Sequence, residues 1–182
     1  FGGHYPNQLS GGMQQRVGLA RALTNDAEIL LMDEAYSALD PLIRVEMQTV
    51  LLDLQKDLKK TVVFITHDLD EALRLGEKIA ILRDGEVIQQ GSAAEIVLNP
   101  ANDYIAAFVK EVNRGRVIKI GAVAKQIPVE SQLQLSEDMD IEGALREMSR
   151  GNVSSAAVMS QEGRPLGGVS LQQLLALLLH QA

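Results

Sequence analysis

Apolar residues recur along the chain with two different periods. After Ser10, whose short side chain can cap a helix, Met13, Val17, Ala20 and Leu23 follow at steps of three and four, predicting an amphipathic helix that ends near Asn25. Two continuous apolar runs come next. Ile29-Leu30-Leu31-Met32 is closed by Asp33-Glu34, and Val62-Val63-Phe64-Ile65 by Thr66-His67-Asp68. Both read as strands buried on both faces, as in a parallel sheet. Between them Asp40 can cap a long helix with Pro41 at its first position, and Leu42, Val45, Leu51, Leu54 and Leu58 are its expected inward stripe. Strand, helix and strand form a crossover unit.

Asp68 and Glu71 cap a short helix ending near Gly76. Ile79 to Leu82 and Glu86 to Ile88 then flank Asp84-Gly85, a hairpin signal. Ser92 and Glu95 make a capping box, a helical stretch covers roughly 103–112, and Asn113-Arg114-Gly115-Arg116 marks a plausible boundary. Beyond it, Ile141, Ala144, Leu145 and Met148 share a helical face. Strands at Ala156 to Met159 and Leu166 to Val169 flank a turn at Glu162-Gly163, and a helix runs from Leu171 to Leu179. A helix, two strands and a helix make a small α+β unit. The expected division is therefore 1–112 and 113–182.

Composition narrows the class. Of 182 residues, 46% are hydrophobic, 23% charged and five are proline, which excludes collagen-like and disordered chains. The net charge of −7, with no basic stripe, argues against nucleic acid as a partner. Residues 1–112 carry 10 basic and 17 acidic side chains, whereas 113–182 carry 7 of each, in keeping with two modules. Without cysteine there is neither a disulfide nor a Cys-ligated zinc site. No apolar run is long enough for a membrane-spanning helix, so a soluble or peripheral protein is expected. The opening Phe1-Gly2-Gly3 reads as the start of a fragment.

Three places carry candidate chemistry. Ser10-Gly11-Gly12-Met13-Gln14 sets a hydroxyl and two glycine amides at a helix N-terminus, which suits a phosphate but equally describes a plain capped helix. Asp33 and Glu34 leave the first strand at the edge where open parallel sheets gather ligands. One carboxylate can hold Mg²⁺ through water while the other orients an attacking water. His67 ends the second strand at the corresponding edge.

Together these residues resemble the ABC ATPases. Leu9-Ser10-Gly11-Gly12-Met13-Gln14-Gln15-Arg16 resembles their signature motif, and Ile29 to Glu34 their Walker B strand. Ser37-Ala38-Leu39-Asp40 resembles their D-loop, and Thr66-His67-Asp68 their switch histidine. Gly85-Glu86-Val87 and Asn99-Pro100-Ala101-Asn102-Asp103-Tyr104 are similar to the ATPase subunits of glycine betaine and proline uptake systems. The resemblance implies a partial ABC ATPase domain of α/β class, a parallel-sheet core with a signature helix, that binds and hydrolyses ATP with Mg²⁺. It implies Asp33 in the Mg²⁺ shell, Glu34 as general base and His67 on the γ-phosphate. Ser10, Gly11 and Gly12 would grip the γ-phosphate bound on the opposite subunit, Gln14 would lie beside that nucleotide, and Asp40 would link the two sites. The implied partners are a second ATPase subunit, permease subunits and, indirectly, a substrate-binding protein, on the cytoplasmic face of the membrane. The family's G-x-x-x-x-G-K-[ST] loop does not occur in the 182 residues, so the isolated chain is expected to be inactive.

The tail resembles a single CBS motif. Met139 to Leu145 matches its first helix and Gly163 to Ser170 its strand pair, with Gln173 where the family usually has Asp. A lone unit of this kind is expected to expose a sheet face carrying Val158, Val169 and Met159. Two alternatives remain: a regulatory module that senses nucleotide or ionic strength, and a soluble ABC ATPase that works outside transport.

Overall fold

The computed structural model describes residues 1–25, 27–58, 60–127, 129 and 132–179, with the side chains of 56–58 outside that description. The chain forms two compact units, Phe1–Leu75 and Gly76–Ala182. The division falls earlier than the expected 112/113 boundary. The stretch 76–112 folds with the tail, because the helix at 93–98 packs on the one at 114–117.

The first unit is built around a crossover. Helix α1 (Gly11–Leu23) is followed by β1 (Ile29–Asp33), α2 (Pro41–Leu58), β2 (Thr61–Ile65) and α3 (Leu69–Leu75). Strands β1 and β2 pair in parallel, with Ile29 opposite Thr61 and Asp33 opposite Ile65. Both predicted strands and the α/β character are present. Their burial differs from expectation: Leu30, Met32 and Phe64 pack into the core, whereas Leu31 is 74% exposed and Ile29, Val63 and Ile65 are also exposed. In a two-stranded sheet side chains alternate between faces, so one face meets the core and the other is largely exposed.

Helix α2 corrects a second expectation. Its inward side is Ile43, Met47, Val50, Leu51 and Leu54, while Leu42 and Val45 point to solvent. The spacing 43, 47, 50 and 54 fits a helical face as well as the expected one does, and Leu39 and Tyr36 before the helix fix the choice. Leu58 lies outside the described side chains. On α1, Gly12 and Leu19 are buried and Val17 and Ala20 are exposed. A Cβ on Gly12 would lie 2.6 Å from Ile43 Cγ2, so the glycine lets α1 and α2 approach.

In the second unit, β3 (Ile79–Arg83) and β4 (Glu86–Gly91) form the expected hairpin, with positive φ at Asp84 and Gly85. Helices α4 (Ala93–Leu98), α5 (Asp103–Val109) and α6 (Arg114–Val117) follow. A sheet of β5 (Gln134–Ser136), β6 (Ser155–Met159) and β7 (Pro165–Ser170) then packs with α7 (Ile141–Arg150) and α8 (Leu171–Leu179). Strand β5 was not expected, since Gln134-Leu135-Ser136 offers one apolar residue. Val158 and Val169 are fully buried, contrary to the expected open face. The segment after α6 folds back on β6 and β7, where Lys125 and Gly168 exchange backbone hydrogen bonds of 2.9 and 2.8 Å. Apolar exposure lies instead on Leu166, Leu171, Leu175 and Leu179.

Candidate active site

The two strands of the first unit end side by side. Glu34 takes a left-handed backbone, φ 43°, which turns its side chain out of the alternation of β1, and its N–H donates to Ile65 O at 2.9 Å. Its carboxylate Oε1 then lies 3.0 Å from His67 Nδ1. Both side chains remain open to solvent, Glu34 at 48% and His67 at 73% exposure. An ionised carboxylate can only accept, so beside a charged Glu34 the imidazole donates from Nδ1 and keeps Nε2 for another partner. A carboxylate and a ring nitrogen thus share one edge.

Asp33 is the last residue of β1 and exposed, and among the described residues its carboxylate makes no hydrogen bond or ion pair. No group of three or more His, Asp or Glu side chains there could enclose a metal ion. One unpaired carboxylate fits Mg²⁺, which usually keeps several waters and takes its remaining ligands from substrate phosphates.

The segment after Glu34 is a compact turn. Ser37 donates to Glu34 O through its N–H and its hydroxyl, at 3.2 and 2.9 Å. Asp40 Oδ1 accepts from Leu42 and Ile43 N–H, both at 3.1 Å, and so caps α2. Gly11 lies against this turn, within 3.6 Å of Leu39 Cδ2 as measured from a Cβ built on it. Ser10 caps α1 through Met13 N–H at 3.4 Å, and Gln14 Nε2 donates to Pro6 O and Leu9 O at 2.9 and 3.1 Å. Gln14 therefore holds the loop before α1 in shape. No hydrogen bond among the described residues joins Ser10 or Gln14 to Glu34 or His67.

Tyr36, Arg44 and Gln48 escaped the sequence reading, for each looked like an ordinary loop or helix-surface residue. Gln48 is buried and donates to buried Glu71 at 3.0 Å. Tyr36 packs on Phe64, its hydroxyl buried without a described partner. Burial, followed by the charge on Glu71, pushes its pKa up to about 12. Arg44 bridges two loops, as described below.

Residues 2–37 match the family model described as ABC transporter. The glycine betaine/carnitine transport ATP-binding protein of Listeria monocytogenes is 50% identical over 167 residues, 92% of this chain and 41% of that protein. The glycine betaine/proline betaine transport system ATP-binding protein of Escherichia coli is 45% identical over 177 residues, 97% of this chain and 44% of that protein. Over these stretches the chain is similar to ABC transporter ATP-binding proteins. It spans less than half the length of these relatives, and in both the match runs into the second unit. A solved ABC transporter cassette, titled as the dimeric structure of MJ0796, is 47% identical over half of this chain, with a TM-score of 0.44. Of the residues that carry the resemblance, Glu34 and His67 are in direct contact. No described helix is long and apolar enough to cross a membrane.

Proposed function

We propose that this chain is part of the ATP-hydrolysing subunit of an importer for glycine betaine, proline or related compatible solutes. The observation that carries the hydrolytic reading is the 3.0 Å contact between Glu34 and His67 at the carboxyl ends of paired parallel strands. Glu34 takes the proton of the attacking water, and His67 orients Glu34 through Nδ1–H and donates to the γ-phosphate from Nε2 when the ring carries a proton on both nitrogens. Asp33 is the residue that would hold Mg²⁺, which supplies charge neutralisation on the phosphates. Ser10, Gly11 and Gly12, at the amide-rich start of α1, act on a nucleotide held by a second subunit. The names of the relatives support the solute class. Work with permease subunits at the cytoplasmic face of a membrane belongs to the same proposal.

The tail is read as a CBS-like regulatory unit. Gln173 Nε2 donates to Val123 O at 2.6 Å, so the residue standing where the family places a ribose-binding Asp is already committed to backbone. Tight adenosine-nucleotide binding is therefore not expected there.

The deciding experiment is Glu34→Gln in the full-length subunit. It should bind ATP normally and accumulate as nucleotide-bound dimer while hydrolysis is lost, because the amide keeps the shape but takes no proton. Near-normal turnover would assign the base elsewhere.

A further inference from the structure

Asp40 and His67 lie on different loops, and hydrolysis that depends on two subunits needs the state of one loop to reach the other. A single side chain spans them. Arg44, on the first turn of α2, places Nη1 3.1 Å from Asp68 Oδ2 and Nη2 3.4 Å from Leu39 O. Leu39 directly precedes Asp40, and Asp68 directly follows His67. We propose that Arg44 is a positioning residue that ties the Leu39-Asp40 turn to the His67 loop, holding His67 in register with Glu34. This rests on the hydrolytic reading above and adds a residue that it did not contain.

The geometry around the bridge is closed on all sides. Asp68 Oδ1 accepts from Glu71 N–H at 3.1 Å, and Asp68 N–H donates to Thr66 Oγ1 at 3.0 Å, so the carboxylate that meets Arg44 cannot swing freely. At the other end Leu39 is buried and its N–H donates to Tyr36 O at 3.1 Å, while Ser37 fastens the same turn to Glu34 O. The result is a ring: Glu34 to His67 through side chains, His67 to Asp68 along the chain, Asp68 to Leu39 through Arg44, and Leu39 back to Glu34 through the turn. Arg44 Nε is buried and has no described partner, so the two Nη groups carry its hydrogen bonds. The pair is partly shielded, with 29% and 34% of the two side chains exposed, and so less screened than a surface pair. Guanidinium suits the position. It stays charged, and its planar fork serves a carboxylate and a carbonyl at once, which a lysine ammonium on a flexible stem does poorly.

A displacement of His67 by a fraction of an ångström leaves substrate affinity nearly intact and slows the chemical step. Arg44→Ala, Arg44→Lys, Asp68→Ala and the Arg44→Ala/Asp68→Ala double variant should be made in the full-length subunit within its transporter. Thermal midpoint, ATP affinity and turnover should be measured for each. The expected result is a fall in kcat of roughly 10- to 100-fold for Arg44→Ala, with KM for ATP changed less than about threefold. Arg44→Lys should recover only part of the loss, and the double variant should be no slower than the worse single one. If turnover per folded molecule is unchanged in Arg44→Ala, or KM rises while kcat holds, the proposal is overturned. Multiplying losses in the double variant overturn it too. A wild-type subunit with no ATP turnover would instead overturn the underlying hydrolytic reading, so the two failures are distinguishable.

Discussion

Glu34 and His67 are 33 positions apart in the chain, yet the carboxylate and the imidazole are 3.0 Å apart. Neither β1 nor β2 alone could place them so. Register brings them together: Asp33 is paired with Ile65, which leaves Glu34 and the Thr66-His67 step as the next residues out on adjacent strands. A shift of the pairing by one residue would carry His67 to the other face of the sheet and separate it from Glu34.

Ser10→Arg in one subunit of a mixed dimer should abolish the ATP site that subunit completes and spare the site it does not. The exposed N-cap has room for the larger side chain within its own subunit, so the fold should persist at the cost of the lost cap, about 0.5–2 kcal/mol, and single-subunit nucleotide binding should remain. Unchanged turnover in the mixed dimer would contradict action in trans.

Gly12→Val should destabilise the first unit by about 1–3 kcal/mol, since the new side chain collides with Ile43 where α1 meets α2. The double variant Gly12→Ala/Ile43→Ala separates the two uses of this glycine. Stability, read by denaturant unfolding, should recover relative to Gly12→Ala alone, while turnover should stay low if the backbone here also approaches phosphate.

Tyr36→Phe should raise stability by up to about 1 kcal/mol at neutral pH, because it removes a buried hydroxyl without a partner and keeps the ring on Phe64. The pH dependence has a definite sign. The folded-state pKa is raised from 10.0 to about 12, so the neutral phenol favours folding below pH 10 and that contribution is lost as pH climbs from 10 to 12. The wild type should lose stability across that window and the variant should lose less. Parallel unfolding curves at pH 9 and pH 11 provide the check.

What was legible in the sequence was local. Ser10, Asp40 and Ser92 cap helices through their own side chains, and Asp84-Gly85 turns a hairpin, because each depends on residues only two or three positions away. The strands ending at Asp33 and Ile65 were legible for the same reason. Burial was not. Leu31 and Leu30 are identical residues side by side, and only the docking of α2 decides which one is covered. Gln48 on the inward side of α2 hid the true stripe, since a polar residue there makes sense only once Glu71 is seen beside it. Val158 and Val169 are fully buried, which their own strand pattern could not show, and Arg44 gains its meaning from a partner 24 positions away.

Parallel pairing of β1 and β2 has a kinetic consequence. A hairpin such as β3–β4 closes over two turn residues, but β1 meets β2 only after the 18-residue α2 has formed and lain down across them. Closing so long a loop costs entropy before any strand contact returns it, which makes this step slow compared with local turns. The contact between Glu34 and His67 hangs on this non-local pairing. A chain in which β1 and β2 are apart holds the two side chains apart as well.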